Sequence, residues 1–123
     1  MTGKPFKIPD ASHPISIAPF EGRVVVCAGD RVIADSRRAL TLKEAAYPAV
    51  YYVPRQDADM TALHRSTHST HCPYKGDASY FDLPTGADGQ NGVWSYETPH
   101  EAVSAIAGHL AFYPNKVVIE TEA

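Results

Sequence analysis

Within Ser69-Thr-His-Cys-Pro-Tyr-Lys-Gly-Asp-Ala-Ser-Tyr80 the chain gathers a thiol, an imidazole, an amine and two phenols. Cys72 is the nucleophile type. A cation or imidazole beside a thiol lowers its pKa and raises the thiolate fraction that nucleophilic chemistry needs, which brings in Lys75 and the histidines. His71 is adjacent in sequence, and neighbours on an extended chain point to opposite faces, so a partner imidazole has to come from a nonadjacent residue such as His68 or His109. Pro73 fixes its own φ, and Gly76 permits a tight bend. The plain alternative is a free cysteine packed as a small hydrophobe. Cys27 closes a Val-Val-Val run and is expected to be buried, leaving Cys72 as the thiol that a small alkylating agent reaches.

A second set is Arg55, Lys75, Tyr80, Trp94 and Glu97, charges and aromatics at strand ends and on strand faces. Aromatic walls bury a small molecule, and a guanidinium or ammonium holds its anionic group. The candidate catalytic residues are therefore Cys72, Lys75 and Glu97, with Arg55, His71, Tyr80 and Trp94 as ligand contacts. A core aromatic cluster rimmed by a surface ion pair is the competing reading. His64, His68 and His71 with Cys72 are donor types that suit zinc or copper, yet their spacing matches no zinc signature and there is no C-x-x-C. No metal and no cofactor is assigned. Gly86, Gly89 and Gly92 follow neither the Walker nor the dinucleotide pattern.

These side chains need a scaffold, and the period-two patterns supply strands. Ile15 and Ile17 flank Ser16; Arg23–Cys27 and Arg31–Asp35 are β-branched runs joined by Ala28-Gly-Asp30, which predicts a hairpin with Gly29 at positive φ. Strands are also expected at Ala49–Val53, Asp77–Leu83, Val93–Glu97, Leu110–Tyr113 and Val117–Glu120. Thr41-Leu-Lys-Glu44 matches a capping box and predicts a short helical turn, and Asp57 predicts the cap of a brief helix carrying Met60 and Leu63. Thr98-Pro-His-Glu101 predicts the start of one helix, with Val103, Ile106, Ala107 and Leu110 as its apolar stripe and Gly108 near its end. The expected fold is mainly β, about eight short strands with one α-helix in the C-terminal half, preceded by a flexible arm over residues 1–11, so that residues 12–123 make a single domain.

A length of 123 residues suits one domain, and a formal net charge of −3 favours neither a polyanion nor an anionic membrane as partner. No run approaches the roughly 18 apolar residues of a spanning helix. Two cysteines are too few for a disulfide scaffold, and a cytoplasmic setting with free thiols is expected. The expected partner is a small-molecule ligand, with no nucleic acid and no membrane; several short edge strands leave monomer and homodimer both open.

The stretches His13-Pro-Ile, Gly22-Arg-Val, Val32-Ile-Ala-Asp-Ser36, Tyr47-Pro, Tyr51-Tyr-Val-Pro-Arg55, Thr70-His-Cys-Pro-Tyr-Lys-Gly76, Ala78-Ser-Tyr80, Trp94-Ser-Tyr-Glu97 and Ala111-Phe-Tyr113 resemble the family known as domain of unknown function 427, nearly end to end. The resemblance implies a compact, mainly β fold like the β-tent of methionine-R-sulfoxide reductases and related small zinc domains. The paired cysteines that hold zinc in those relatives are absent here, so their metal is not carried over. The family is sometimes labelled a nucleotidyltransferase type, but a pair of metal-binding carboxylates with a glycine-serine motif is not found. The functional expectation is a domain that binds a small anionic or carbonyl-bearing molecule among Arg55, Cys72, Lys75, Tyr80, Trp94 and Glu97, with cysteine chemistry as an option. The alternative is a structural or partner-binding oligomeric β domain without chemistry.

Overall fold

The computed structural model describes residues 5–123, and among these the chain runs through ten strands: β1 (Ile15–Pro19), β2 (Arg23–Ala28), β3 (Arg31–Ser36), β4 (Leu40–Glu44), β5 (Val50–Tyr52), β6 (His64–Cys72), β7 (Gly76–Asp82), β8 (Val93–Ser95), β9 (Ala111–Phe112) and β10 (Val118–Glu122). They form three antiparallel sheets, ordered β1-β4-β5, β10-β2-β3 and β6-β7-β8-β9. The mainly β expectation holds. The β2–β3 hairpin turns through Gly29 at φ 59°, a left-handed conformation that glycine takes without a Cβ clash. Along β2 Val24, Val26 and Ala28 are buried while Arg23, Val25 and Cys27 alternate outward. Cys27 is thus half-buried on the outer face, between the exposed Val32 and Val118 to which it pairs, and not buried as its valine neighbours suggested.

Two segments expected as helix are strand or 3₁₀ turn. Thr41–Glu44 lies in β4, between β1 and β5, where alternation buries Leu42 and half-buries Leu40. Strand pairing on both sides outweighs the local capping box, and Ala45 at φ 46° turns the chain at the strand's end. After Arg55–Asp57 and Met60–Ala62, each one 3₁₀ turn, the chain enters the nine-residue β6. Asp59 caps the second turn by accepting from the Thr61 backbone N–H. The helical stretch of the C-terminal half falls where Thr98–Gly108 predicts it, over Glu101–Ile106, in 3₁₀ form with Val103 out of helical geometry (φ −124°, ψ 26°). Its cap position is His100, which makes no side-chain capping bond, and not Thr98. Val103 and Ile106 are its buried residues, as the stripe implied.

Sheet β6-β7-β8-β9 separates two cores. On one face Phe81 and Val93 join Val24, Val26, Ile33, Leu110 and Phe112. On the other, Ala78, Tyr80, Tyr96 and Ala111 join Leu42, Tyr52, Val103 and Ile106. Alternation on β7 sends residues 78 and 80 one way and residues 79 and 81 the other. Each fully buried aliphatic or aromatic side chain contributes about 1.5–3 kcal/mol of burial. The sheets are stitched where Val53 and Leu110 exchange both backbone hydrogen bonds at 2.8 Å. Among the described residues no helix is long and apolar enough to cross a membrane.

Candidate functional site

The inner face of β4 carries Leu40, Leu42 and Glu44 in alternate positions, opposite Ile17 and Ile15 on β1 and Tyr52 on β5. An apolar row therefore ends in a carboxylate. Lys75, in the turn between β6 and β7, donates from Nζ to Glu44 Oε1 at 2.5 Å, and His13 Nε2 lies 2.7 Å from Glu44 Oε2. The Lys75 and Glu44 side chains are only 12% and 13% exposed, so the pair stands largely out of water. Burial opposes ionisation of Glu44, but the Lys75 ammonium and His13 outweigh it and hold the carboxyl below its ordinary range. His13 stacks flat on Tyr74 with centroids 4.0 Å apart, and the Lys75 ammonium lies 5.7 Å from the Tyr96 ring centre.

Around this pair lies a group of phenols with Cys72. Burial pushes Tyr52 and Tyr96 well above the usual phenol range, and the nearby Glu44 carboxylate adds to it. Both phenols stay protonated and can donate. Trp94 Nε1–H donates to Tyr52 Oη at 3.2 Å, and Tyr80 Oη and Thr70 Oγ1 are hydrogen-bonded at 2.9 Å. His68 packs on Tyr80 (4.6 Å between centroids) and Tyr113 on Trp94 (4.6 Å). Burial and the neighbouring Tyr80 phenol raise Tyr113 to about 12. Cys72 is half-buried and packs against this core. His109, the other imidazole considered for it, lies 3.1 Å from the Ala107 carbonyl oxygen through Nδ1.

Arg55 and Glu97 meet on the opposite face of the sheet. Glu97 Oε2 accepts from Arg55 Nη2 at 2.8 Å and from Arg65 Nη2 at 2.6 Å, while Oε1 accepts from Ser79 Oγ at 2.9 Å. Arg55 also donates to Gly108 O and Ser95 Oγ. Both guanidiniums lie over the Phe81 ring, at 5.3 and 5.0 Å. The Arg65 hydrogen bond, with the Ser79 bond and both guanidinium charges, overcomes burial and holds the Glu97 carboxyl at about 2.

Cys72, Tyr80 and Trp94 are thus brought together on one face, with Lys75 at its edge, and Arg55 and Glu97 are brought together on the other. His71 belongs to neither group: its Nδ1 lies 2.8 Å from Asp77 Oδ1 and its Nε2 2.6 Å from Pro5 O. Glu44, His13, Tyr52, Arg65 and Ser79 were not among the sequence candidates. The alternation Leu40, Leu42, Glu44 was the signal for the first, hidden by the capping-box match; Arg65 lay in a stretch without strand pattern. Among the described residues no group of three or more His, Cys, Asp or Glu is placed to hold a metal ion; His64, on β6, lies 3.9 Å from Asp82 while His68 faces Tyr80. By type, an ammonium such as Lys75 can hold an anionic group or polarise a carbonyl, protonated phenols are hydrogen-bond donors, and a thiol such as Cys72 is a nucleophile type.

No curated protein matches the chain. The family model described as Domain of unknown function (DUF427) matches residues 16–123, a span that takes in Glu44, the Cys72–Tyr80 stretch and Trp94–Glu97. The chain that builds these two clusters on opposite faces of one sheet therefore belongs to the family described as Domain of unknown function (DUF427).

Proposed function

We propose that the domain binds a small anionic or carbonyl-bearing molecule at the Glu44–Lys75 end of the phenol-lined face, with Tyr52, Tyr80, Trp94 and Tyr96 around it and Cys72 as the group available for chemistry. The observation that carries the reading is the Lys75–Glu44 pair at 2.5 Å, with both side chains nearly nine-tenths buried. Burying two charges costs several kcal/mol each before their attraction is counted, and apolar residues of similar volume would stabilise a core as well. Ionisable groups with shifted pKa values, gathered in one place, are what ligand and catalytic sites collect. Glu44, Tyr52 and Tyr96 are such a group. Arg55 and Glu97 serve this reading as structure, because every charged atom of Glu97 is engaged on the far face.

The test is a thermal-shift screen with short carboxylates, 2-oxo acids and neutral ketones, run on the wild type and on the paired variant Glu44→Gln/Lys75→Met, which leaves no unpaired charge. A ligand that stabilises the wild type should lose its effect in the paired variant and keep it in Arg55→Lys. Stabilisation that survives in the paired variant would move the site elsewhere.

The partner-binding reading has one observation of its own. A cavity of about 590 Å³, lined by apolar and aromatic residues including Tyr51, Phe112, Pro114 and Ile119, opens beside Tyr47, which is 62% exposed. Native mass spectrometry at micromolar concentration decides whether this face joins two copies. A monomer whose mass is unchanged by concentration would remove self-association.

A further inference from the structure

His71 sits at the end of β6, next to the chain's own N-terminal stretch. Its Nδ1 is 2.8 Å from Asp77 Oδ1, and its Nε2 is 2.6 Å from the carbonyl oxygen of Pro5. A carboxylate and a peptide carbonyl are acceptors only. A neutral imidazole has one N–H and serves one of them, so the two hydrogen bonds exist together only with an additional proton in the triad. That proton resides on the imidazole, because an ordinary carboxyl group is acidic by more than two pKa units relative to histidine. Three further contacts lay the same stretch on the β6–β7 turn. The Lys7 N–H donates to Pro73 O at 2.9 Å, the Phe6 ring packs on His100 at 4.4 Å, and the Lys7 ammonium lies 5.9 Å from the Tyr74 ring centre.

We propose that residues 5–7 are a strap latched across the Cys72–Gly76 turn by the His71 imidazolium, and that the strap is released when His71 loses its second ring proton as pH rises. The turn beneath carries Lys75 and begins at Cys72, so the latch makes access to that turn pH-dependent. A cavity of about 260 Å³, lined by Phe6, His71, Gly76, Asp77, Thr98 and His100, lies at the strap's edge. Among the described residues, the titratable and charged groups around His71 are Asp77 on β7, His100 with its ring centre 6.3 Å away, and Lys7 on the strap, whose ammonium is directed at Tyr74. Two acceptors on the two ring nitrogens favour the imidazolium, so docking is complete while both ring protons are present and is weakened when the second one leaves as pH rises. The inference stands apart from the ligand-binding reading.

The experiment is NMR on the full chain between pH 5 and 8.5, following the His71 ring nitrogens, the Phe6–His100 contact and exchange protection of the Lys7 amide, corrected for the pH dependence of intrinsic exchange. At low pH both His71 nitrogens should carry hydrogen; protection of Lys7 should then fall about tenfold or more with the midpoint of the His71 titration, as expected for loss of a charge-assisted hydrogen bond. In His71→Gln, which keeps one donor, the contact should be weak throughout and show no midpoint. A singly protonated His71 with the Phe6–His100 contact intact would overturn the proposal, as would protection of Lys7 that does not change with pH. A midpoint that persists in His71→Gln would assign the switch to His100 and overturn it equally. The wild-type titration is decisive even if the variant folds poorly.

Discussion

Glu97 is held by two guanidiniums and Glu44 by the Lys75 ammonium together with the His13 imidazole, and their surroundings set different consequences. Glu97 is a third exposed, so solvent screening leaves its pairs about 1 kcal/mol despite their geometry. Its carboxyl sits at about 2 in the fold. A depressed folded pKa stabilises above the ordinary carboxylate range and loses that contribution as pH falls toward the folded value. Urea unfolding of Glu97→Gln should therefore show about 1 kcal/mol less stability than wild type at pH 7 and a smaller loss between pH 4.5 and 2. Glu44 obeys the same sign, but it is 13% exposed. Glu44→Gln strands the Lys75 ammonium in a dry place and should cost about 3 kcal/mol at pH 7. Glu44→Gln/Lys75→Met should cost less than the sum of the two single changes by about 1–3 kcal/mol in a urea-denaturation cycle; additive losses would mean that the pair is not coupled.

At the scale of elements, two glycines mark where strands are joined and where they must approach closely. Gly29, at φ 59°, faces open space, so an added Cβ costs only backbone strain. Gly22 precedes β2, and a Cβ there would fall 2.0 Å from the backbone oxygen of Glu122, where β10 ends against β2. Backbone cannot step aside as a flexible side chain can. Gly22→Ala should destabilise by about 3 kcal/mol or more, whereas Gly29→Asn, a residue that tolerates the left-handed region, should cost under about 1 kcal/mol. Chemical denaturation of the two variants side by side checks the contrast. β4 shows the same dominance of pairing over local preference: strands on both of its edges override a helix-cap pattern.

At the scale of the molecule, one sheet serves two cores, and the bond pair between Val53 and Leu110 ties it to the rest. Phe81 faces one core and Tyr80 the other, so neither core opens without disturbing β7. Unfolding should be a single transition, with far-UV circular dichroism and the fluorescence of Trp94, the lone tryptophan, giving coincident curves. Leu110 is completely buried in the first core, and Leu110→Ala should lower stability by about 3 kcal/mol while keeping the curves together. Trp94 signal lost ahead of the dichroism would mean that the second core melts by itself.

What could be read along the chain was whatever depends on neighbours. Alternating apolar residues announce a strand because successive side chains point to opposite faces, so β1, β2, β3, β5 and β7 and the Gly29 turn were legible, as was the helical stretch before Gly108. β6 was not, because a strand of serine, threonine and histidine has no apolar period and is held by its pairing with β7. The reactive residue types were also visible in the sequence; their grouping was not. Lys75 finds Glu44 across a separation of 31 residues, and Tyr80 parts from the Ser79–Glu97 cluster because adjacent residues on β7 face different cores. Register and the stacking of sheets decide such meetings, and both arise only when the whole chain has buried its apolar surface.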